Sequence, residues 1–278
     1  MLCICVALHC EAQPLIEHFK LVKDTLSRGQ ALFRGANITL IESGPGKIKA
    51  AAAVTRLLST LQSPADAMAI NFGTCGSAQD HPRGEVFIIN KISDASSENC
   101  FYPDILFKHS LPEAHLATFE KPVSKQDSLS PTIQLVDMEA SGFFEAASIF
   151  LAPSRIACLK IVSDNLEGKS ISNQEITRLV RENLPAISKA IQIFAEANAD
   201  PGPAKRADIK DISRRLASHF RLTRAQEEIL YKAMQHFAIR TNSDLGWTER
   251  FLENTVQSKP EAKKAFTALI AALNKTAT

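Results

Sequence analysis

Ala67-Met-Ala-Ile-Asn-Phe-Gly-Thr-Cys-Gly-Ser77 reads as a buried strand that runs into a glycine-bearing loop. Residues 67–72 form a short apolar run of the kind that fills a strand covered on both faces. Gly73 and Gly76, with small polar residues between them, let a ligand approach the backbone closely. The same reading extends outward in both directions. Upstream, residues 1–8 are a second apolar run, 11–19 suit a helix, and 31–34 and 38–43 are β-rich stretches around a Gly35-Ala-Asn turn. Residues 46–61 carry Ala50, Val54, Leu57 and Leu61 at helical spacing. Downstream, strands are expected at 85–93, 134–137 and 156–163, with a helix at 139–148. Ser172-Asn-Gln-Glu175 is a capping box that opens a helical run to about residue 197, bent or broken at Pro185. Strands alternating with helices predict an α/β fold.

The charge balance divides the chain. From Pro201 onward there are 14 Lys+Arg and 8 Asp+Glu, a formal +6, whereas the first 200 residues hold 18 and 22, a formal −4. The step falls at Ala199-Asp-Pro-Gly-Pro-Ala-Lys, whose prolines and glycine make it the best linker in the chain. The expected domains are therefore 1–200 and a helical extension over 201–278. In the extension, 208–220 is amphipathic, Thr223-Arg-Ala-Gln226 caps a helix to about 239, 247–256 reads as a third helix, and Ser258-Lys-Pro-Glu261 caps a fourth.

Composition narrows the class. The chain has 278 residues, 45% hydrophobic and 22% charged, which excludes a mainly disordered chain and a small disulfide scaffold. No uncharged apolar run reaches the ~18 residues of a membrane span. The start, Met1 to Gln13, has no basic segment and meets Glu11 at once, so it does not read as a signal peptide. All six cysteines precede residue 160 with no CxxC, which fits a reducing cytoplasm. Cys3 and Cys5 share one face of a buried strand and are expected to pack there. The seven histidines form no HxxxH or HExxH, so no metal and no organic cofactor is expected.

Chemistry in an open α/β fold collects just past strand ends. Four places there carry polar residues: Glu11, Ser43-Gly-Pro-Gly-Lys47, Gly73 with Thr74, and the pair Asp-Met138-Glu139-Ala and Ser163-Asp164. Each alone has a structural reading as well, as a helix-start acid, a tight turn, a bulge or an N-cap. Carboxylates at neighbouring strand ends can nevertheless be kept in different protonation states by their surroundings, which is what acid–base chemistry requires.

These four segments, in this order, resemble the purine nucleoside phosphorylase/nucleosidase superfamily, with the nearer likeness to the methylthioadenosine/S-adenosylhomocysteine nucleosidases. The resemblance spans about residues 1–197. It implies a three-layer α/β/α sandwich with a mixed central sheet, hydrolysis of a purine nucleoside at its N-glycosidic bond, and a homodimer. Carried over, it makes Glu11 the acid that activates water, Glu139 the acid that grips the ribose hydroxyls beside Met138, and Asp164, with Ser163, the acid at purine N7. Thr74, after Gly73, falls near the water and ribose, and Lys160 stands where nucleosidases carry an arginine near the site.

Three readings stay open. Water is favoured over phosphate, because the first arginine is Arg28 and position 71 is Asn where a related phosphorylase pattern has Arg. A phosphorylase and a non-catalytic nucleoside-binding module remain the alternatives. Residues 94–136 do not match the usual adenine-binding segment, and Phe101 or Tyr102 is the candidate for stacking on a base. The +6 extension, with capped helices joined by Arg221-Leu-Thr223, also invites a helix-turn-helix reading. A bundle with a solvated basic face is the simpler account, so nucleic acid is not an expected partner.

Overall fold

Side chains of β1 (Leu2–Val6) alternate between two cores: Leu2, Ile4 and Val6 enter one, and Cys3 and Cys5 enter the other. A strand with apolar residues on both phases of its two-residue period is covered on both faces. The structure is a computed structural model describing residues 1–27, 29–168, 171–198, 202–241, 245–252 and 258–274. It divides into two units, Met1–Glu196 and Ala197–Thr278.

Helix α1 (His9–His18) follows β1 and contains Pro14. Proline has no N–H to give to the carbonyl four residues back. Here the Cys10 carbonyl is served instead by the Thr177 hydroxyl at 2.9 Å. A short β2 (Val22–Lys23), then β3 (Leu32–Arg34) and β4 (Ile38–Glu42), lead to α2 (Lys47–Ser59). Next come β5 (Met68–Ser77), β6 (Val86–Asp94), β7 (Cys100–Phe101), β8 (Glu113–Thr118) and β9 (Leu135–Asp137). Helix α3 (Ala140–Ser148), β10 (Ile156–Asp164), α4 (Asn173–Glu182) and α5 (Leu184–Ala197) complete the unit.

The ten strands form one mixed sheet. β5 pairs in parallel with β1 and β10 and antiparallel with β9. β10 pairs antiparallel with β6, β6 in parallel with β8, and β8 in parallel with β9. These pairings close a ring of five strands, β5–β10–β6–β8–β9, from which β1, β4, β3 and β2 extend as an open wing. Helices α2 and α3 pack into the core that holds Cys3 and Cys5. Helices α1, α4 and α5 pack into the core that holds Ile4 and Val6.

Three expectations are corrected. The strand expected over 67–72 continues to Ser77, so Gly73 and Gly76 lie in the ladder and not in a loop. Glycine weakens a strand, but β10 pairs with this one from Ala69 through Gly76 and β9 adds pairing at Gly76 and Ser77. Residues 94–136 contribute β7 and β8, neither of which was expected. The helical run after Ser172 breaks at Asn183, and Pro185 sits in the first turn of α5, where its missing N–H costs nothing.

Helices α2 and α3 meet at Gly142, where an added Cβ would overlap the Lys47 backbone carbonyl. Backbone cannot swing aside as a flexible side chain does. Gly142→Ala is therefore expected to destabilise by about 1–3 kcal/mol, as overpacked sites do. That corresponds to a fall in Tm of roughly 2–12 °C for a unit of this size, and an unchanged Tm in a thermal melt would contradict the close approach.

In the second unit, α6 (Gly202–His219), α7 (Arg224–Thr241) and α8 (Lys259–Asn274) enclose a core of Leu216, Phe220, Leu230, Met234, Leu269 and Leu273. Helix α6 starts at Gly202, so the linker is shorter than expected, and residues 199–201 lie outside the described residues. The third helix expected over 247–256 is a 3-10 helix at Gly246–Leu252, and residues 253–257 lie outside the described residues. The expected caps are present: Gln226 N–H points at Thr223 Oγ1, and Glu261 N–H at Ser258 Oγ, each at 3.4 Å.

Candidate active site

Glu11 is the third residue of α1, and the turn into the helix folds its side chain back over the end of β1. It is 2% exposed. Oε2 accepts the Leu8 N–H at 3.0 Å, and Oε1 accepts both the Thr74 N–H and the Thr74 hydroxyl at 2.7 Å. Gly73 makes room for it, since a Cβ there would stand 3.3 Å from Oε1. Glu11 is thus a helix-start acid and a buried carboxylate of the cavity wall at once.

Asp164 ends β10, where the pairing with β5 slips. Val162 opposes Cys75 and Asp164 opposes Gly76, which leaves Ser163 as the extra residue of a bulge. Bulges re-aim side chains at strand ends. Asp164 Oδ1 accepts the Leu166 N–H at 2.9 Å, and Oδ2 lies 2.8 Å from Ser163 Oγ, itself 3.1 Å from the Cys75 carbonyl. A Cβ at Gly76 beneath would meet Leu166 Cδ2, so that side chain would have to shift to admit one.

Glu139 precedes α3 and is 8% exposed. Its Oε1 accepts the Gly46 N–H, at the start of α2, at 2.8 Å. Burial, reinforced by the nearby Asp137 charge, pushes its carboxyl above the usual range, against the opposing pull of Lys160 and the Gly46 N–H. Gly44 and Gly46 hold this turn with φ of 80° and 104°, the left-handed region that glycine adopts freely.

Asp137 and Lys160 form a buried ion pair at 2.8 Å, with side chains 0% and 1% exposed. Asp137 also accepts the Thr118 hydroxyl at 2.7 Å and the Ala140 N–H at 2.9 Å. Burial works against charge on Lys160, but Asp137 and Glu139 outweigh it and hold the ammonium above lysine's ordinary value.

Glu11, Glu139 and Asp164 share one cavity of about 460 Å³, with Thr74, Met138 and Ser163 on its wall. Leu8, Pro45, Val136 and Leu166 add apolar surface, and Lys121, Pro122 and Val123 form a further stretch of wall. Cys75 is there too, its thiol pushed up by burial. A protonated thiol of this kind is no nucleophile.

Several expected residues lie elsewhere. Lys160 does not reach the cavity; its ammonium is spent on Asp137, below Glu139. Gly73 underlies Glu11 and does not line the wall. Phe101 packs on Phe144 with ring centroids 5.6 Å apart, and Tyr102 is 58% exposed; neither lines the cavity. Among the described residues Lys121 is the one cationic side chain on the wall. Asp137 was missed as the partner of Lys160. The available signal was the spacing of Val136-Asp-Met-Glu, which places Asp137 and Glu139 two residues apart across Met138.

No family model and no curated protein sequence matches the chain. Solved structures do. A 5′-methylthioadenosine nucleosidase of Arabidopsis thaliana superposes with a TM-score of 0.57 at 18% identity, covering 69% of this chain and 95% of that one. A methylthioadenosine/S-adenosylhomocysteine nucleosidase of S. pneumoniae, solved with a transition-state inhibitor, gives 0.56 at 20% identity over 69% and 97%. A Colwellia psychrerythraea nucleosidase of the same kind, solved with adenine, gives 0.57 at 15% identity over 70% and 94%. The fold is that of these nucleosidases. At these identities the likeness establishes the fold alone. No helix among the described residues is long and apolar enough to cross a membrane.

Proposed function

We propose that the cavity hydrolyses the N-glycosidic bond of a purine nucleoside of the 5′-methylthioadenosine or S-adenosylhomocysteine kind. The observation that carries this reading is the convergence of Glu11, Glu139 and Asp164, each with different hydrogen-bond partners, on one cavity. The α/β unit is read as a three-layer sandwich whose strand ends rim the site. The chemistry is assigned to residues 1–200 and none of it to 201–278. The nucleoside is the partner expected of a cytoplasmic enzyme, and a homodimer is its expected assembly.

Cleavage passes through a sugar with cationic character and a purine with growing negative charge. Asp164 supplies the proton at N7 and so stabilises the leaving base. Ser163 suits that role because its one hydroxyl proton cannot serve both neighbours. While Asp164 carries the proton destined for N7, the Ser163 hydroxyl donates to the Cys75 carbonyl; after transfer it turns and donates to the new carboxylate at Oδ2. Glu11 takes a proton from water on the opposite side and favours the cationic sugar through its charge. Thr74 holds Glu11 from two directions and so fixes where that charge stands. Glu139 accepts hydrogen bonds from the ribose hydroxyls, and Met138 packs beside it. An acid and a base flanking the bond with room for water is the arrangement of inverting glycosidases.

Phosphate is the poorer nucleophile for this wall. Oxyanion cradles use arginine forks or several ammonium groups; Lys47, which follows the Gly44–Gly46 turn, is committed to Asp94 and Glu120, and Lys121 is a single cation on the described wall. The test is release of base from methylthioadenosine, S-adenosylhomocysteine, adenosine and inosine, followed by chromatography with and without phosphate. Release without phosphate is expected. Release that requires phosphate would reassign the site as a phosphorylase, and binding without release would reassign it as a nucleoside-binding module.

A further inference from the structure

Gly46 holds Glu139 with its N–H, yet Gly46 itself has no side chain and nothing within 4 Å of where a Cβ would be. A soft turn cannot by itself keep a donor on a carboxylate. The next residue supplies the anchor. Lys47 Nζ lies 3.1 and 3.0 Å from the two oxygens of Asp94, 3.4 Å from Glu120 Oε1, and also meets Ser96 Oγ. Asp94 is 6% exposed. Burial alone would push its carboxyl up, but hydrogen bonds from Ser96, Ser141 and Lys47 outweigh burial and hold it well below the usual range.

Asp94 faces both sides of the Gly46–Glu139 bond. Its Oδ2 accepts the Ser141 hydroxyl at 2.7 Å, and Ser141 is the second residue of α3, the helix that Glu139 precedes. The same carboxylate binds Lys47, the first residue of α2, the helix that Gly46 precedes. Glu120, the third partner of this cluster, adjoins Lys121 on the cavity wall.

We propose that Lys47 is a positioning residue for Glu139: its pairing with Asp94 sets the distance between the start of α2 and the start of α3, and with it the grip of Glu139 on the ribose hydroxyls. This deepens the proposed function and rests on Glu139 being the ribose-holding group. Lys47 does not line the cavity, so its effect on the ribose hydroxyls is exerted through Gly46 and Glu139.

The test compares adenosine with its 2′-deoxy and 3′-deoxy forms in the unmodified protein, Lys47→Met, Lys47→Arg and Asp94→Asn. Both kcat/KM and equilibrium binding are read, with thermal melts to confirm folding. A hydrogen bond to a charged group is worth about 1.5–3 kcal/mol, so the unmodified protein should favour the ribonucleoside by roughly 10–150-fold. Lys47→Met is expected to lower kcat/KM for adenosine about tenfold, chiefly through KM, and to leave the deoxy forms nearly unchanged. The preference for ribose then falls by about the same factor, Lys47→Arg recovers part of it, and Asp94→Asn resembles Lys47→Met. A loss that is equal for ribo and deoxy substrates, or a ribose preference that survives Lys47→Met, overturns the proposal. An unmodified protein that binds but releases no base fails the hydrolase reading only, and the same comparison in binding still decides the role of Lys47.

Discussion

Asp164→Asn is expected to lower kcat for purine release by about 10²–10⁴-fold, the usual contribution of one positioned general acid. Binding should change little. Asparagine keeps the shape of the side chain, can still accept the Leu166 N–H at the Oδ1 position and stays beside Ser163. What it cannot do is give a proton to N7. The leaving base then departs as an anion, and the barrier rises by the lost stabilisation. A substrate whose leaving group needs no proton separates this from a distorted site. A 4-nitrophenyl riboside should be cleaved by the variant at close to the unmodified rate. Less than a tenfold loss with purine nucleosides, or equal losses with both substrates, would remove Asp164 from the role.

Lys160→Met should give a large loss of stability in the first unit. Removing one partner of a buried ion pair typically costs about 3–5 kcal/mol, because the other charge is left without compensation. For a unit of this size that is a fall in Tm of roughly 6–20 °C. Asp137 keeps the Thr118 hydroxyl and the Ala140 N–H, but neither neutralises it. Adding Asp137→Asn removes the stranded charge while allowing the Thr118 and Ala140 contacts to persist. The double variant should therefore recover much of the loss, a coupling that a double-mutant cycle measures directly.

The pH dependence of Lys160→Met has a definite sign. Glu139 already sits above the ordinary carboxylate range. A carboxyl raised in the native state contributes stability at low pH, and that contribution is lost as pH rises through the raised value. Lys160 is one of the groups that pulls Glu139 back down, so its removal raises Glu139 further. The Tm deficit of the variant should be larger at pH 8 than at pH 5, because the stability that a further-raised Glu139 contributes is lost as pH rises. A deficit independent of pH would mean that Lys160 matters for packing and not for charge.

Local pattern was enough for much of this. The two-phase apolar run of β1, the helical spacing of Ala50, Val54 and Leu57, and the capping boxes at Ser172, Thr223 and Ser258 are short-range features, and the structure has them where they were expected. The carboxylates were legible for a similar reason. Glu11, Glu139 and Asp164 each lie within a few residues of a strand end, and a strand end is where a polar side chain escapes the core.

The misses share a different cause. Strand β8 is only six residues long, and its ladder partners β6 and β9 lie more than fifteen residues away on either side. Nothing local distinguishes it from a loop. The glycine segment of β5 was read as a loop because glycine disfavours strand, and only pairing from β10 and β9 overrides that preference. Lys160 was placed near the site by the resemblance, as standing where nucleosidases carry an arginine, yet its neighbours across the sheet decide where an ammonium can go. Burial without a partner is prohibitive for a charge, and the partner within reach is Asp137.

The amino-acid order by itself therefore determined most of the elements, the inventory of acids and their place at the strand ends, because hydrophobic period, turn chemistry and capping act within one or two turns of the chain. Only the tertiary structure decided which acids share a cavity, that Lys160 serves Asp137, that Lys47 is bound by Asp94, and that five strands close into a ring. Those outcomes depend on pairing between segments far apart in sequence, where desolvation of each charge is offset only by a partner that the fold itself brings near.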